Sequence, residues 1–192
     1  MLKKIKTRML GFARRYGNSD SGATAVEFAL VAFPFFGLLG VILETGSMMF
    51  VEYSLQSGVQ VASRQAHTGQ AQGAGMTTAQ YKSLICQNAD LVSQCGTSLT
   101  VYANSYKTWA ELVGSIPSFT NIGVKNDGTQ DPITYKLGKP TCPSVLVATY
   151  DWKLMMPMMN YMGNIKNGTE RRLVGFAMFQ TEPYPASGST TC

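Results

Sequence analysis

The side chains capable of chemistry in this sequence are few and scattered. Four cysteines occur, Cys86, Cys95, Cys142 and Cys192, and none of their spacings is the Cys-x-x-Cys that favours zinc or a dithiol redox centre. An even number in an oxidising compartment points to bridges instead. Cys86 with Cys95 closes a short loop and leaves Cys142 for Cys192, although four cysteines allow three pairings. The single histidine, His67, has no neighbouring Cys, Ser or carboxylate motif with which to build a nucleophile or general base, so it reads as a solvated or capping residue at a helix end. Met155, Met156, Met158, Met159 and Met162 form a thioether cluster of the softness that suits copper(I). The alternative, methionines filling irregular apolar gaps, needs no ligand and is the reading taken. Residues 126–131 (NDGTQD) have the composition of a calcium loop but lack the alternating ligands and closing Glu of an EF-hand, and read as a turn. No Gly-rich phosphate loop, zinc-protease motif or Gly-x-Ser-x-Gly elbow is present. The expectation is a protein that is not an enzyme, with no cofactor and no metal.

One further ionisable group stands out by its surroundings. Residues 23–43 read ATAVEFALVAFPFFGLLGVIL, and Glu27 is the one charge among them. At about 1.5 Å per residue such a helix spans roughly 30 Å, the thickness of a hydrocarbon core. Lys3, Lys4, Lys6, Arg8, Arg14 and Arg15 precede it, opposed by Asp20 alone, while Glu44 and Glu52 follow it. The positive-inside rule then predicts a cytoplasmic N-terminus and an exported remainder. From residue 23 onward basic and acidic residues balance at ten each, so the net charge of +5 resides in residues 1–22. A balanced body lacks the basic stripe that nucleic acid requires, and nucleic acid is set aside.

Three ordinary explanations of this segment are available. A secretory signal peptide has an apolar region of about 7 to 15 residues and an Ala-x-Ala-like site; this run is longer, and GVILETGSM supplies no such site. A mitochondrial transit peptide is basic and poor in acid, as residues 1–16 are, but is not followed by a spanning segment and cysteines. An uncleaved signal anchor accounts for the hydropathy and charge bias but not for Glu27. A carboxylate about a turn inside an apolar helix costs a few kcal/mol unless paired or near the headgroups, so it points to function.

The stretch SGATAVEFALV, in which Gly22 precedes small residues, Glu27 and Phe28, resembles the processing site of type IV pilin-like proteins and, among them, the TadE-like pseudopilins of the tight-adherence (Tad) system. The resemblance implies cleavage after Gly22 by a membrane prepilin peptidase, Ala23 as the new N-terminus, and Glu27 as the fifth residue of the mature chain. Glu27 and Phe28 would belong to the assembly surface. It also implies as partners other pilins and minor pilins, the inner-membrane Tad assembly platform and membrane lipid. The physical rationale is direct. Glycine lets a protease approach the backbone, and a carboxylate near a free amino terminus can compensate that charge where the dielectric is low. SVLVATYDWKLMMP resembles the family's alternating strand, and RRLVGFAMFQTEPYP its final strand, with Thr181 departing from the Asn-or-Ala before Glu182 and Pro183. Residues 104–142 match little.

Beyond the span, Met48, Val51, Leu55, Val59, Ala62 and Ala66 recur at three- and four-residue steps, predicting one helix from about Ala23 to His67, kinked by Pro34 and ended by Gly69 and QAQGAG. That stripe can pack on the chain's own sheet or on a neighbouring subunit. Thr77 should cap a short helix carrying Cys86. Leu99 to Ala103, Ser144 to Trp152 and Arg172 to Thr181 read as strands, with a fourth near Ile133 to Leu137. A short helix is expected around Trp109 to Val113 and a turn over Met155 to Met162. The fold class is therefore α+β: a long transmembrane helix followed by a small exported domain with a three- to four-stranded antiparallel sheet. The expected organisation is a cleaved basic leader over 1–22, a pilin-like helix over 23–67 with its span at 23–43, and a periplasmic domain over 68–192. The resemblance implies a single-pass protein of the bacterial inner membrane that takes part in assembling an adhesive pilus. The alternative is an anchored periplasmic binding module or adhesin outside any pilus.

Overall fold

The computed structural model describes residues 22–115, 136, 139–184 and 192. The chain divides into two units whose boundary in sequence lies between Leu43 and Glu44. Residues 126–131 and most of the expected fourth strand lie outside the described residues.

In the first unit the described part is helical. Helix α1 runs Ala23–His67, and within residues 23–43 the large apolar side chains, Phe33, Phe35, Phe36 and Leu38 among them, are exposed. Pro34 lies inside α1 without ending it. Glu27 is the one charge within residues 23–43, and the helix is long and apolar enough to cross a membrane.

In the second unit, residues 44–67 of α1 form one layer and a three-stranded antiparallel sheet the other. The strands are β1 (Leu99–Ser105), β2 (Pro143–Lys153) and β3 (Glu170–Gln180), in the order β1-β2-β3. Register pairs Val101 with Ala148 and Ala148 with Gly175. The period-two alternation sends Leu99, Val101, Ala103, Leu146, Ala148, Leu173 and Ala177 to one face, where they join Met48, Val51, Leu55, Val59, Ala62 and Ala66 of α1 in a single core. The stripe of α1 is thus buried against its own sheet, which settles the choice left open by periodicity. Gly175 permits this approach, since a Cβ there would stand 3.0 Å from Val59 Cγ2 and 3.2 Å from Leu55 Cγ. The opposite face carries a smaller cluster of Tyr106, Leu112, Val145 and Val147, with Leu112 supplied by a short helix, Trp109–Ser115.

The connections follow local chemistry. Helix α1 ends with Arg64 and His67 in its last turn, where cations complement the helix dipole, and at Gly69, whose φ of +75° is open to glycine. QAQGAG does more than terminate the helix: Gln70–Gly73 forms a separate turn, α2. Helix α3, Thr78–Gln87, opens with a full capping box. Thr77 Oγ1 accepts from the Gln80 N–H and Gln80 Oε1 accepts from the Thr77 N–H. A four-residue helical turn at Cys95–Ser98 was not expected. Pro157–Met162 forms a 3₁₀ turn between β2 and β3.

Candidate functional site

Gly22 immediately precedes α1, and a Cβ built on it would meet nothing within 4 Å. Packing among the described residues does not require glycine there. Ala23 opens the helix and Glu27 follows four residues later, so the two share one helix face one turn apart. Both are exposed, and Phe28, the next residue, is 70% exposed. Glycine, small residue, carboxylate and aromatic therefore line up on an accessible helix start that is followed by an apolar run.

The acidic residue just after that run behaves differently. Glu44 is 4% exposed, and its carboxylate accepts two backbone hydrogen bonds from the loop after β2: Met155 N–H to Oε1 at 2.5 Å and Met156 N–H to Oε2 at 2.9 Å. Sequence reading used Glu44 only as negative charge beyond the span. Its latch on residues more than a hundred positions away left no local signal. A second tie closes the other end of α1. The Glu182 N–H donates to the His67 carbonyl at 2.8 Å, His67 Nδ1 lies 3.5 Å from Glu182 Oε1, and the Tyr184 ring covers Gly69. His67 is thus a partner of the Thr181-Glu182-Pro183 segment rather than a free surface residue.

The cysteines form two bridges, Cys86–Cys95 and Cys142–Cys192. The first joins α3 to the turn before β1. The methionines of the 155–162 loop separate by environment: Met155 is 73% exposed, Met159 is fully buried, and Met162 packs against the core. Among the described residues no group of three or more His, Cys, Asp or Glu side chains could hold a metal ion. An open groove of about 730 Å³ lies between the end of α1 and β3, lined by Gln56, Arg64, His67, Phe176 and Met178 among others. On the far face of the sheet the Tyr102 and Tyr106 hydroxyls are 3.0 Å apart. Burial, reinforced by that hydrogen bond, pushes the Tyr102 phenol up to about 12. Neither the groove nor this pair presents an activated nucleophile.

Neither a curated protein nor a solved structure matches the chain. The family model described as TadE-like protein matches residues 22–64. The match begins at Gly22, includes Glu27 and the whole apolar run, and continues through the buried stripe of α1 almost to its end. Over this segment the chain is similar to TadE-like proteins, a membrane-associated structural family of the Tad pilus system.

Proposed function

We propose that the protein is a pilin-like structural subunit of a Tad-type pilus, cut after Gly22 by a prepilin peptidase and assembled through the N-terminal half of α1. The observation that carries this reading is the extent of the TadE-like match, residues 22–64, which joins the candidate cleavage glycine to the span and to the stripe behind it. Removal of residues 1–22 would discard the entire net charge of the chain. It would also create an α-amino group at Ala23, about 6 Å of helix rise from Glu27 on the same face. In a low-dielectric surrounding that carboxylate compensates the new ammonium, on its own chain or on a neighbour's. The exposed apolar surface of residues 23–43 serves first as membrane anchor and then as packing surface against other pilins. In this arrangement the N-terminus faces the cytoplasm and the disulfide-bonded unit faces the periplasm, and the partners are sibling pilins and the inner-membrane Tad assembly platform.

The test is intact-mass and N-terminal analysis of the protein extracted from membranes of a cell carrying a Tad system. A chain beginning at Ala23 is the expected product. Retention of Met1, or a cut beyond Leu43, would overturn the proposal. Gly22→Val should leave the leader attached, and Glu27→Ala should insert normally but fail to enter pili.

A further inference from the structure

Leu43 ends the apolar run and Glu44 is the next residue. Whatever angle the two units adopt, an atom bonded to the Glu44 carboxylate lies within a side chain's length of the point where the helix leaves the hydrocarbon. Two backbone groups are held there, the Met155 and Met156 N–H, and with them the turn that continues to Met162. This turn shows the composition of a membrane-interface element. Met155 is 73% exposed and Tyr161 is 79% exposed, both large side chains that a water-facing loop gains nothing by displaying. Lys153 next to it is exposed, supplying positive charge toward anionic headgroups. The same level of α1 displays Met49 and Phe50, 65% and 68% exposed, only about 10 Å of helix rise beyond Leu43. That distance is within the polar interfacial layer flanking the hydrocarbon.

We infer that the loop over residues 155–161 contacts lipid through Met155 and Tyr161, at the headgroup–acyl boundary, and is held near Leu43 by the Glu44 latch. The occupant of this surface is the bilayer that the span already crosses, so the inference rests on the membrane reading of residues 23–43. A carboxylate is suited to the latch because it accepts two N–H groups at once, and at 4% exposed it presents little charge to its surroundings.

The experiment uses the full chain reconstituted in vesicles of phosphatidylethanolamine and phosphatidylglycerol. All four cysteines are consumed by the two disulfides, so single substitutions Met155→Cys and Tyr161→Cys each give one reactive thiol for an environment-sensitive fluorophore. Val113→Cys, at a site 68% exposed on the short helix of the opposite sheet face, is the water reference, and Leu39→Cys is the span reference. The expected result is quenching of the 155 and 161 labels by lipids carrying a nitroxide near the headgroup, with protection from aqueous iodide. Adding Glu44→Ala should cause loss of the lipid quenching at 155. Iodide quenching equal to that at 113 would overturn the inference. So would protection from both quenchers, which would indicate contact with another protein chain. If the label at 39 also escapes the lipid nitroxide, the membrane reading itself is wrong and the loop assignment falls with it.

Discussion

Gly58 and Gly46 lie on the same helix and should respond to alanine with opposite signs. A Cβ at Gly58 would stand 2.6 Å from the Ile85 carbonyl oxygen, 3.1 Å from the Ala89 Cβ and 3.2 Å from Ile85 Cγ2, so α1 and the end of α3 touch backbone to backbone at this point. A Cβ at Gly46 would meet nothing within 4 Å. Replacing a helical glycine by alanine contributes up to about 1 kcal/mol through propensity, and at Gly46 nothing opposes that gain. At Gly58 the gain is outweighed by overpacking, which costs about 1–3 kcal/mol when the obstructing atom is backbone. The net expectation is a loss of about 1 kcal/mol for Gly58→Ala, and a loss of about 3 kcal/mol for Gly58→Val as two further methyl groups enter the contact. In a domain of this size 1 kcal/mol moves Tm by about 2–4 °C. Thermal unfolding of the detergent-solubilised chain, followed by near-ultraviolet circular dichroism, reads both signs in one series. A Gly58→Ala protein as stable as Gly46→Ala would refute the close approach of α1 and α3.

Tyr81 is fully buried and its hydroxyl donates to the Ala62 carbonyl at 2.5 Å, so Tyr81→Phe should cost about 1 kcal/mol in urea titration with no change in m-value. Removing Cys86 and Cys95 together should cost about 2.7 kcal/mol, and removing Cys142 and Cys192 about 4 kcal/mol, because the bridges close loops with sequence separations of 9 and 50 and chain entropy grows with loop length. Equal losses would show that loop entropy does not set these contributions. The Tyr102 phenol, raised to about 12 from an ordinary value near 10, favours the fold only while protonated. The unfolded chain loses that proton first, so this contribution is present below pH 10 and disappears as pH rises toward 12. Ultraviolet titration of tyrosinate should show a phenol that ionises late in the native protein and is missing from Tyr102→Phe; a late phenol that persists in the variant would refute the assignment to Tyr102.

The elements of this fold were legible where one periodicity ran without competition. The three- and four-residue stripe from Met48 to Ala66 marks α1 and alternation marks β1, because each pattern must bury one face, whereas β2 is buried on both faces over Pro143–Thr149. The candidate processing segment is a local motif, Gly22, Glu27 and Phe28, that does not depend on tertiary contacts, and the TadE-like match begins at its glycine. What escaped was non-local. Glu44 looks like any acid after an apolar run until the chain returns at Met155, and Gly58 looks like a weak point in a helix until α3 is laid against it. The turn at Cys95–Ser98 is one of the shortest helices of the unit, too short for any period to register.

Strand β3 lies at the edge of the sheet, and α1 reaches across to it through one side chain. The Gln56 amide donates to the Phe176 carbonyl and accepts from the Phe176 N–H, each at 3.0 Å, as one residue of an added strand would. A strand arriving from another molecule must first displace this amide and surrender two hydrogen bonds, each worth about 1 kcal/mol. An open strand edge is a template for pairing with another chain, and at Phe176 this edge is already occupied. The amide thereby discourages sheet-to-sheet joining along β3 at that position.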